Sequence, residues 1–316
     1  MQLSNLAFVF PGQGSQAVGM LAELGAAHAL VRQTFDEAST GVGKDLWTIS
    51  QSGPDEELNR TENTQPALLA ASVAVWRVWM DRGGPRPAQL SGHSLGEYSA
   101  LVCADALSLH DAAVLVAERG RLMQRAVPAG TGAMAAVIGG DDEQIAAVCA
   151  ELAEGQVVSP ANYNSPGQLV IAGDAAAVDR VLVRLAELGI RKTVKLAVSV
   201  PSHCALMRDA AEQLAERMAA ITWTLPTIPV IQNAEARSFE SVLEIRAALQ
   251  RQLCLPVRWT ECVQQLAVRG ATRIAECGPG KVLGGLIKRI DKGIQTRALA
   301  APDDLAQAIV EWSNVD

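Results

Sequence analysis

A serine flanked by glycines is the residue in this chain best suited to covalent chemistry. The run Gly92-His93-Ser94-Leu95-Gly96 has the G-x-S-x-G pattern, which is typical of a sharp turn from a strand into a helix with the serine at its apex. Such a turn exposes the serine hydroxyl beside the amides at the start of a helix, where negative charge is favoured. Ser94 is therefore a candidate nucleophile that carries an acyl group.

A serine nucleophile needs a general base, and histidine is the usual one because its pKa lies near neutral pH. The chain has four histidines. His28 lies in an ordinary helical stretch, and His110 begins a helix. His93 is adjacent to Ser94, so its side chain should point away from the serine. His203 follows the nucleophile, as in the chain order of serine hydrolases of this layout. Elimination therefore favours His203 as the base.

An arginine falls on the apolar face of a predicted helix that runs to about residue 126. Arg119 lies three or four positions from the apolar residues of that face, which are Leu115, Val116, Leu122 and Met123. A buried cation needs an anionic partner. One interpretation is a structural ion pair with an Asp or Glu. The other is that Arg119 receives a substrate carboxylate through two parallel hydrogen bonds.

A glycine-rich loop follows the first apolar strand, residues 6–10. The run Gly12-Gln13-Gly14-Ser15-Gln16-Ala17 fits the dinucleotide-binding pattern G-x-G-x-x-A, and Asp36 and Glu37 lie about 20 residues further on. However, the ribose-binding acid should end a second parallel strand, whereas residues 30–38 favour a helix. The alternative is that the loop supplies backbone amides to the site of Ser94, because sites form at the carboxyl ends of parallel strands.

The elements around these residues predict an α/β chain. Residues 88–90 are a short strand before the serine, and residues 97–102 are the helix after it. Asn63-Thr64-Gln65-Pro66 precedes a long apolar helix over residues 67–80. Gln65 is either a polar lining of the site or a residue at the helix start, and spacing alone favours the second.

The middle of the chain follows a different pattern. From residue 132 to about 197 the order strand–helix–strand–strand–helix–strand predicts a ferredoxin-like unit. Asn162 and Asn164 fall in its central turn and are turn-formers by default. His203 then begins a helix over residues 204–219. The predicted domains are residues 1–130 with 198–316, and an insertion over residues 131–197.

Composition excludes several classes of protein. The 316 residues are 49% hydrophobic with a net charge of −7, which argues against nucleic acid as a partner because no basic surplus exists. The six cysteines do not have the spacing of metal ligands, and we expect them to be reduced thiols. The start of the chain has no signal-peptide pattern, and no stretch is long and apolar enough to span a membrane. A cytoplasmic protein is expected.

Five motifs together resemble one family. They occur in the order seen in malonyl-CoA:acyl-carrier-protein transacylases of the free-standing bacterial type, over essentially the whole chain: Phe10-Pro11-Gly12-Gln13-Gly14-Ser15-Gln16, Gly92-His93-Ser94-Leu95-Gly96-Glu97-Tyr98-Ser99, Arg119, Val200-Pro201-Ser202-His203 and Gly278-Pro279-Gly280-Lys281. The resemblance implies an α/β-hydrolase-like core with an inserted ferredoxin-like subdomain, in agreement with the predicted elements.

The resemblance also implies roles for individual residues. Ser94 would be acylated, with His203 as its base. The backbone amides of Gln13 and Leu95 would form the oxyanion hole, and Arg119 would bind the malonyl carboxylate.

A third catalytic member and two further contacts also come from the resemblance. The main-chain carbonyl of Gln252, in Arg251-Gln252-Leu253, would orient the base. Cys254-Leu255-Pro256 follows where a larger polar or aromatic pair is expected. Gln65 and His93 are the remaining candidate substrate-binding residues.

The implied reaction moves a malonyl group from malonyl-CoA to the phosphopantetheine thiol of acyl-carrier protein by a ping-pong route. No separate cofactor is expected, because the phosphopantetheine is carried by the partner. Fatty-acid synthesis is the implied pathway; a polyketide pathway and a serine acyl-thioester hydrolase are the alternatives. Because the family's carrier protein is acidic, two basic clusters are candidate docking sites: Arg191, Lys192 and Lys195, or Lys281, Lys288 and Arg289.

Overall fold

The computed structural model describes residues 2–128, 130–196 and 200–313. Within them lie nine strands: β1 (Gln2–Phe10), β2 (Arg86–Gly92), β3 (Gly132–Ile138), β4 (Val158–Ser165), β5 (Gln168–Asp174), β6 (Lys192–Lys195), β7 (Val230–Ile231), β8 (Arg273–Glu276) and β9 (Gln295–Ala298). The helices of the same residues are α1 (Ala22–Ala27), α2 (Ala29–Val42), α3 (Leu46–Ser52), α4 (Asp55–Leu58), α5 (Thr61–Asp81), α6 (Gly96–Cys103), α7 (Leu109–Ala126), α8 (Asp142–Glu151), α9 (Ala175–Glu187), α10 (Arg208–Ala219), α11 (Val242–Cys254), α12 (Trp259–Val268), α13 (Val282–Ile290) and α14 (Pro302–Ser313).

A five-stranded parallel sheet forms the larger layer, in the order β7-β2-β1-β8-β9. The second half of β1 is apolar without interruption and fully buried, because helices cover both faces of a parallel sheet. The loops after β1, β2, β7 and β8 all leave the sheet at its carboxyl edge. That edge therefore collects the Gly12 loop, the Ser94 turn and the segment after β8.

A four-stranded antiparallel sheet, in the order β4-β5-β3-β6, forms the smaller layer. Helices α8 and α9 pack on one face around Ile145, Val178 and Val181. This order, with a helix after the first and third strands, is the ferredoxin-like arrangement. The sheet spans residues 132–195, inside the predicted insertion. The second predicted domain boundary, between residues 197 and 198, and the end of the strand expected there lie outside the described residues.

The smaller sheet is joined to the larger layer along β4. The amide of Tyr163 donates to the carbonyl of Val257 at 2.9 Å, and the amide of Val257 donates to the carbonyl of Ala161 at 2.8 Å. The opposite face of the sheet from α8 and α9 packs Met134, Ala161 and Val170 against Cys204. Strand β4 is thus anchored to the segments that flank the candidate site.

Two expected boundaries were wrong near the site. Helix α5 begins at Thr61, so Gln65 and Pro66 lie inside it. Its first turn packs on Gly120, where a Cβ would come within 2.8 Å of Glu62 backbone atoms. His203 does not begin a helix: it has a left-handed backbone with φ of 62°, and a short 3-10 turn, Ala205–Met207, precedes α10.

The prediction that two asparagines lie in the central turn of the insertion was also wrong. Asn162 and Asn164 lie in β4, and the chain turns afterwards, between β4 and β5. Tertiary pairing along Val257 outweighs the turn preference of asparagine here.

The glycine-rich segment after β8 supports the loop after β1. A Cβ on Gly278 would lie 2.6 Å from the Ser72 hydroxyl and 2.7 Å from the ring of Pro11. Glu276 accepts hydrogen bonds from the amides of Leu283 at 3.0 Å and Gly284 at 2.8 Å, so it caps the start of α13. The Gly278-Pro279-Gly280-Lys281 motif therefore packs beside the site and begins a helix.

Within the described ranges, no helix has the length and apolar character needed to cross a membrane. All six cysteines are free thiols.

Candidate active site

Ser94 sits at the apex of a strained turn at the carboxyl end of β2. Its backbone is left-handed, with φ of 51°. Gly92 and Gly96 are required by close packing, since a Cβ on Gly92 would lie 1.9 Å from the carbonyl carbon of Gly96 and one on Gly96 would lie 2.0 Å from the carbonyl oxygen of Phe10. The G-x-S-x-G turn presents the serine hydroxyl at the start of α6.

A chain of hydrogen bonds links Ser94 to the base. The Ser94 hydroxyl lies 2.8 Å from Nε2 of His203, and Nδ1 of His203 lies 2.7 Å from the carbonyl oxygen of Gln252. Since a carbonyl can only accept, Nδ1 carries the proton and Nε2 is free to accept from the serine. The arrangement is that of a nucleophile, an oriented base and an orienting group.

Burial keeps His203 neutral. The side chain is 3% exposed, and this desolvation, with the nearby positive charge of Arg119, lowers the pKa of His203 to about 3. The imidazole is therefore unprotonated at neutral pH and can take the Ser94 proton.

Arg119 reaches the same point from α7. It is 2% exposed and donates to Gln65 Oε1 at 2.8 Å, to Ser94 Oγ at 3.3 Å and to Gln252 Oε1 at 3.1 Å. Its guanidinium carbon lies 5.7 Å from the centre of the Tyr98 ring.

No carboxylate of the described residues neutralises Arg119 directly. Among the ion pairs of the described residues none includes it, and its Nε has no hydrogen-bond partner. Burial lowers its pKa from the usual value. A guanidinium of this kind, 3.3 Å from a nucleophile, is suited to bind an anionic substrate group.

Two backbone amides belong to the loop after β1 and the turn after β2, which pack against each other. Gly12 packs against the turn, because a Cβ there would lie 2.5 Å from the carbonyl oxygen of His93, and the amide of His93 donates to Phe10 at 2.9 Å. Gln13 follows Gly12 directly, and Leu95 follows Ser94. Within the described part of the chain neither amide donates a hydrogen bond, so both are available to an oxyanion.

Gln65 and His93 are also brought to the site. Gln65 is fully buried in α5 and accepts from Arg119, so it positions the guanidinium. His93 Nε2 lies 2.8 Å from Asn164 Oδ1 of β4, and its ring lies 5.4 Å from that of Trp259. Burial lowers the pKa of His93. The structure thus brings all eight sequence-predicted site residues to one edge of the larger sheet.

Three polar residues at the site were missed by sequence reasoning. Asn164 holds His93, Asn233 binds the backbone of Ser94, and Glu97 lies buried behind the turn. A charged residue within the apolar run after the nucleophile was the available signal for Glu97. Nothing in the local sequence marks Asn233, which follows the two-residue strand β7.

The structure does not support the interpretation of the Gly12 loop as a dinucleotide-binding loop, because the two candidate ribose-binding acids lie elsewhere. Asp36 and Glu37 lie in α2 and pair with Arg32 at 2.7 Å and Arg77 at 2.6 Å. Neither stands at the end of a parallel strand, where the ribose would be bound.

Known proteins resemble this chain over nearly its whole length. Residues 7–289 match the family model described as acyl transferase domain. The malonyl CoA-acyl carrier protein transacylase of Escherichia coli K12 is 54% identical over 307 residues, which cover 97% of this chain and 99% of that protein. The crystal structure of malonyl-CoA:acyl carrier protein transacylase from Xanthomonas oryzae is 65% identical, covers 99% of both chains and has a TM-score of 0.98.

A third similar structure is a complex. It holds a type II polyketide acyl-carrier protein with its malonyl-transacylase, and the matched chain is 52% identical with a TM-score of 0.96 over 97% of this chain and 99% of that chain. The family model spans most of the chain, and these similarities extend over nearly the whole length of each protein. The chain belongs to the acyl transferase domain family, among its malonyl-CoA:acyl-carrier-protein transacylases.

Proposed function

We propose that this protein transfers a malonyl group from malonyl-CoA to the phosphopantetheine thiol of acyl-carrier protein through a malonyl ester of Ser94. The observation that carries the proposal is the position of Arg119. Its guanidinium has no carboxylate partner among the described residues and lies 3.3 Å from the hydroxyl that His203 activates. A free carboxylate next to the reacting carbonyl distinguishes malonyl from neutral acyl groups.

In the first half-reaction, Ser94 attacks the thioester carbonyl while its proton passes to Nε2 of His203. The carbonyl of Gln252 holds the imidazole in the required tautomer. The oxyanion lies on the amides of Gln13 and Leu95, and each such donor contributes roughly 10²–10³-fold in rate. CoA leaves as its thiol after accepting the proton from His203.

The second half-reaction runs the same machinery in reverse. The carrier-protein thiol gives its proton to His203 and attacks the Ser94 ester, and the carboxylate stays on Arg119. Gln65 fixes the guanidinium and His93 lines the cleft. This is ping-pong chemistry with a covalent intermediate. No separate cofactor takes part in the proposed steps.

We assign the enzyme to fatty-acid synthesis, in the cytoplasm. Six free thiols support a reducing compartment. Supply of a polyketide system is the second candidate, favoured by the similarity to a polyketide-associated malonyl-transacylase. A general acyl-thioester hydrolase would use Ser94 and His203 in the same way. Its neutral acyl substrates, however, would have no carboxylate for Arg119 to bind.

The test is intact-protein mass spectrometry after mixing with malonyl-CoA. Wild type should gain one malonyl group that disappears when carrier protein is added, and Ser94→Ala should gain none. Arg119→Ala should lower the preference for malonyl-CoA over acetyl-CoA by roughly 100-fold, since hydrogen bonds to a charged group are lost. Absence of the wild-type adduct, or an unchanged preference in Arg119→Ala, would overturn the proposal.

A further inference from the structure

A buried carboxylate lies directly behind the nucleophile, and none of the proposed steps uses it. Glu97 is fully buried in the first turn of α6. Oε1 accepts from Gln232 Nε2 at 2.8 Å. Oε2 accepts from the amide of Asn233 at 2.8 Å and from Gln252 Nε2 at 3.2 Å. Among the described residues no Lys, Arg or His lies in an ion pair with it. A buried charge held only by neutral donors is costly, so its presence calls for a reason.

Asn233, one partner of Glu97, is hydrogen-bonded to the backbone of the turn that carries Ser94. The Asn233 side chain accepts from the amide of Ser94 at 2.7 Å and donates to the carbonyl of Gly92 at 2.7 Å. These bonds span the turn from the end of β2 to the serine. The amide of Asn233 is itself held by Glu97, so the carboxylate fixes the residue that fixes the turn.

The other partner connects Glu97 to the base and to the arginine. Gln252 Nε2 donates to the carbonyl of Ser94 at 2.8 Å as well as to Glu97. Gln252 Oε1 accepts from Arg119 at 3.1 Å, and its main-chain carbonyl accepts from His203 at 2.7 Å. The side-chain amide thus lies between an anion on its N–H side and a cation on its C=O side. Such an arrangement strengthens both hydrogen bonds.

We propose that Glu97 is a positioning residue that holds Ser94, His203 and Arg119 in register through Asn233 and Gln252. The proposal rests on the transferase function above. The ionised form is required, because the three partners all present N–H donors. A neutral glutamine at this position would have to turn its own NH₂ group toward some of them.

The same contacts revise the choice offered by the sequence for Arg119. Glu97 is a counter-charge for the guanidinium, but it acts through the Gln252 amide and not by direct contact. The face of Arg119 toward Ser94 therefore stays open to a substrate carboxylate while the buried cation is partly balanced.

The variant that tests the proposal is Glu97→Gln, assayed in the complete enzyme with malonyl-CoA and carrier protein. Because burial raises the pKa of Glu97 to about 7, assays at pH 8 keep the wild-type carboxylate mostly ionised. We expect kcat and the single-turnover rate of Ser94 malonylation to fall roughly 10- to 100-fold, as for small misplacements of reacting groups. The KM for malonyl-CoA should stay within about threefold, since Gln65 still holds Arg119.

The matched control is Glu276→Gln. Glu276 is 1% exposed and also accepts only N–H donors, but it caps α13 and touches none of Ser94, His203 or Arg119. Its variant should lower the melting temperature while kcat per folded molecule stays within about twofold of wild type. Equal losses of kcat in the two variants would mean that Glu97 is only structural.

A second variant, Asn233→Ala, keeps the Glu97 bond to the backbone but removes the bonds to Ser94 and Gly92. It should reproduce the loss of kcat, and it provides the test if Glu97→Gln does not fold. Wild-type kcat in Glu97→Gln or in Asn233→Ala would overturn the positioning role. A wild-type enzyme that forms no malonyl adduct would instead overturn the transferase function itself, so the two failures are distinguishable.

Discussion

His203 and Arg119 are 3% and 2% exposed, and no carboxylate contacts either side chain in the described residues. Each is held by neutral groups: a main-chain carbonyl for His203 and two glutamine side chains for Arg119. Burial keeps the histidine neutral and leaves the guanidinium with unmet capacity for an anion. Desolvation therefore underlies the roles proposed for both residues, His203 as the base and Arg119 as the carboxylate receptor.

The buried histidine makes the protein sensitive to acid. The pKa of His203 is about 3 in the folded protein and 6.5 in the unfolded chain, so the unfolded chain binds more protons between these values. Stability must then fall as the pH drops below 6.5. Between pH 7 and pH 5, wild type should lose about 2 kcal/mol of unfolding free energy more than His203→Gln does. Urea titrations of both proteins at the two pH values measure this difference, and parallel losses would contradict it.

The sequence alone identifies those site residues whose side-chain type and position are unusual. Ser94 stands in a recognisable turn, the histidines are few, and Arg119 interrupts an apolar stripe. Asn164, Asn233 and Glu97 were missed because they act on backbone atoms or on other polar residues across the fold. The role of Gln252 came only from the family resemblance, since a main-chain carbonyl can belong to any residue type.

At the scale of elements, the junction of β2 and α6 is the most tightly constrained. The turn after β2 works only if α6 can approach β1, and Gly96 is the contact point. A methyl group there would meet backbone atoms of Phe10 and Pro11 within 3 Å. Backbone cannot move aside as a flexible side chain can, so the helix would have to shift together with Ser94.

We therefore expect Gly96→Ala to destabilise the protein by about 3 kcal/mol, the upper end of the usual cost of overpacking. Gly285→Ala in α13 is the control, because no atom of the described residues lies within 4 Å of the position that its added methyl group would take. It should stabilise by about 0.5–1 kcal/mol through better helix propensity. Chemical denaturation of the two variants gives the comparison, and equal stabilities would refute the packing argument.

Element types were predictable and several boundaries were not. Helices α7, α9 and α11 end close to the residues at which their apolar periodicity predicts an end. Helix α5 began earlier because packing on Gly120 supports a first turn that Pro66 had argued against. Strand β4 was longer than its apolar residues suggested, because Val257 supplies hydrogen bonds from far along the chain.

At the scale of the whole molecule, the parallel sheet supplies the catalytic edge and the antiparallel sheet forms a wall beside it. Basic side chains lie on both layers, although the net charge is −7. Lys195 pairs with Asp179 at 2.5 Å. Lys281 and Lys288 are exposed and take part in no ion pair of the described residues. A Cβ added to Gly280, which precedes Lys281, would lie 3.6 Å from the Cβ of Ser15 in the loop after β1, so this turn packs near the carboxyl edge of the larger sheet.

Because the turn before Lys281 packs near the loop after β1, we expect the cluster of Lys281, Lys288 and Arg289 to be the docking site for the proposed acidic carrier protein. Reversing Lys281 and Lys288 to Glu should raise the KM for carrier protein by roughly tenfold or more and make it less dependent on salt. The rate of Ser94 malonylation by malonyl-CoA should not change. The control reverses Lys192 and Lys195, and a larger effect of that pair would move the docking site to the smaller sheet.

The hydrogen bond between His93 and Asn164 joins the nucleophile turn to β4, and β4 is paired along Val257, five residues after Gln252. The inserted sheet is therefore not an interchangeable module. A chimera that takes residues 132–195 from a relative would import new neighbours for His93 and a new border for the segment after Gln252. Engineering of the acyl group that the proposed nucleophile Ser94 accepts should therefore include β4. A grafted β4 should be transferred together with the segment around Val257, to which it is hydrogen-bonded.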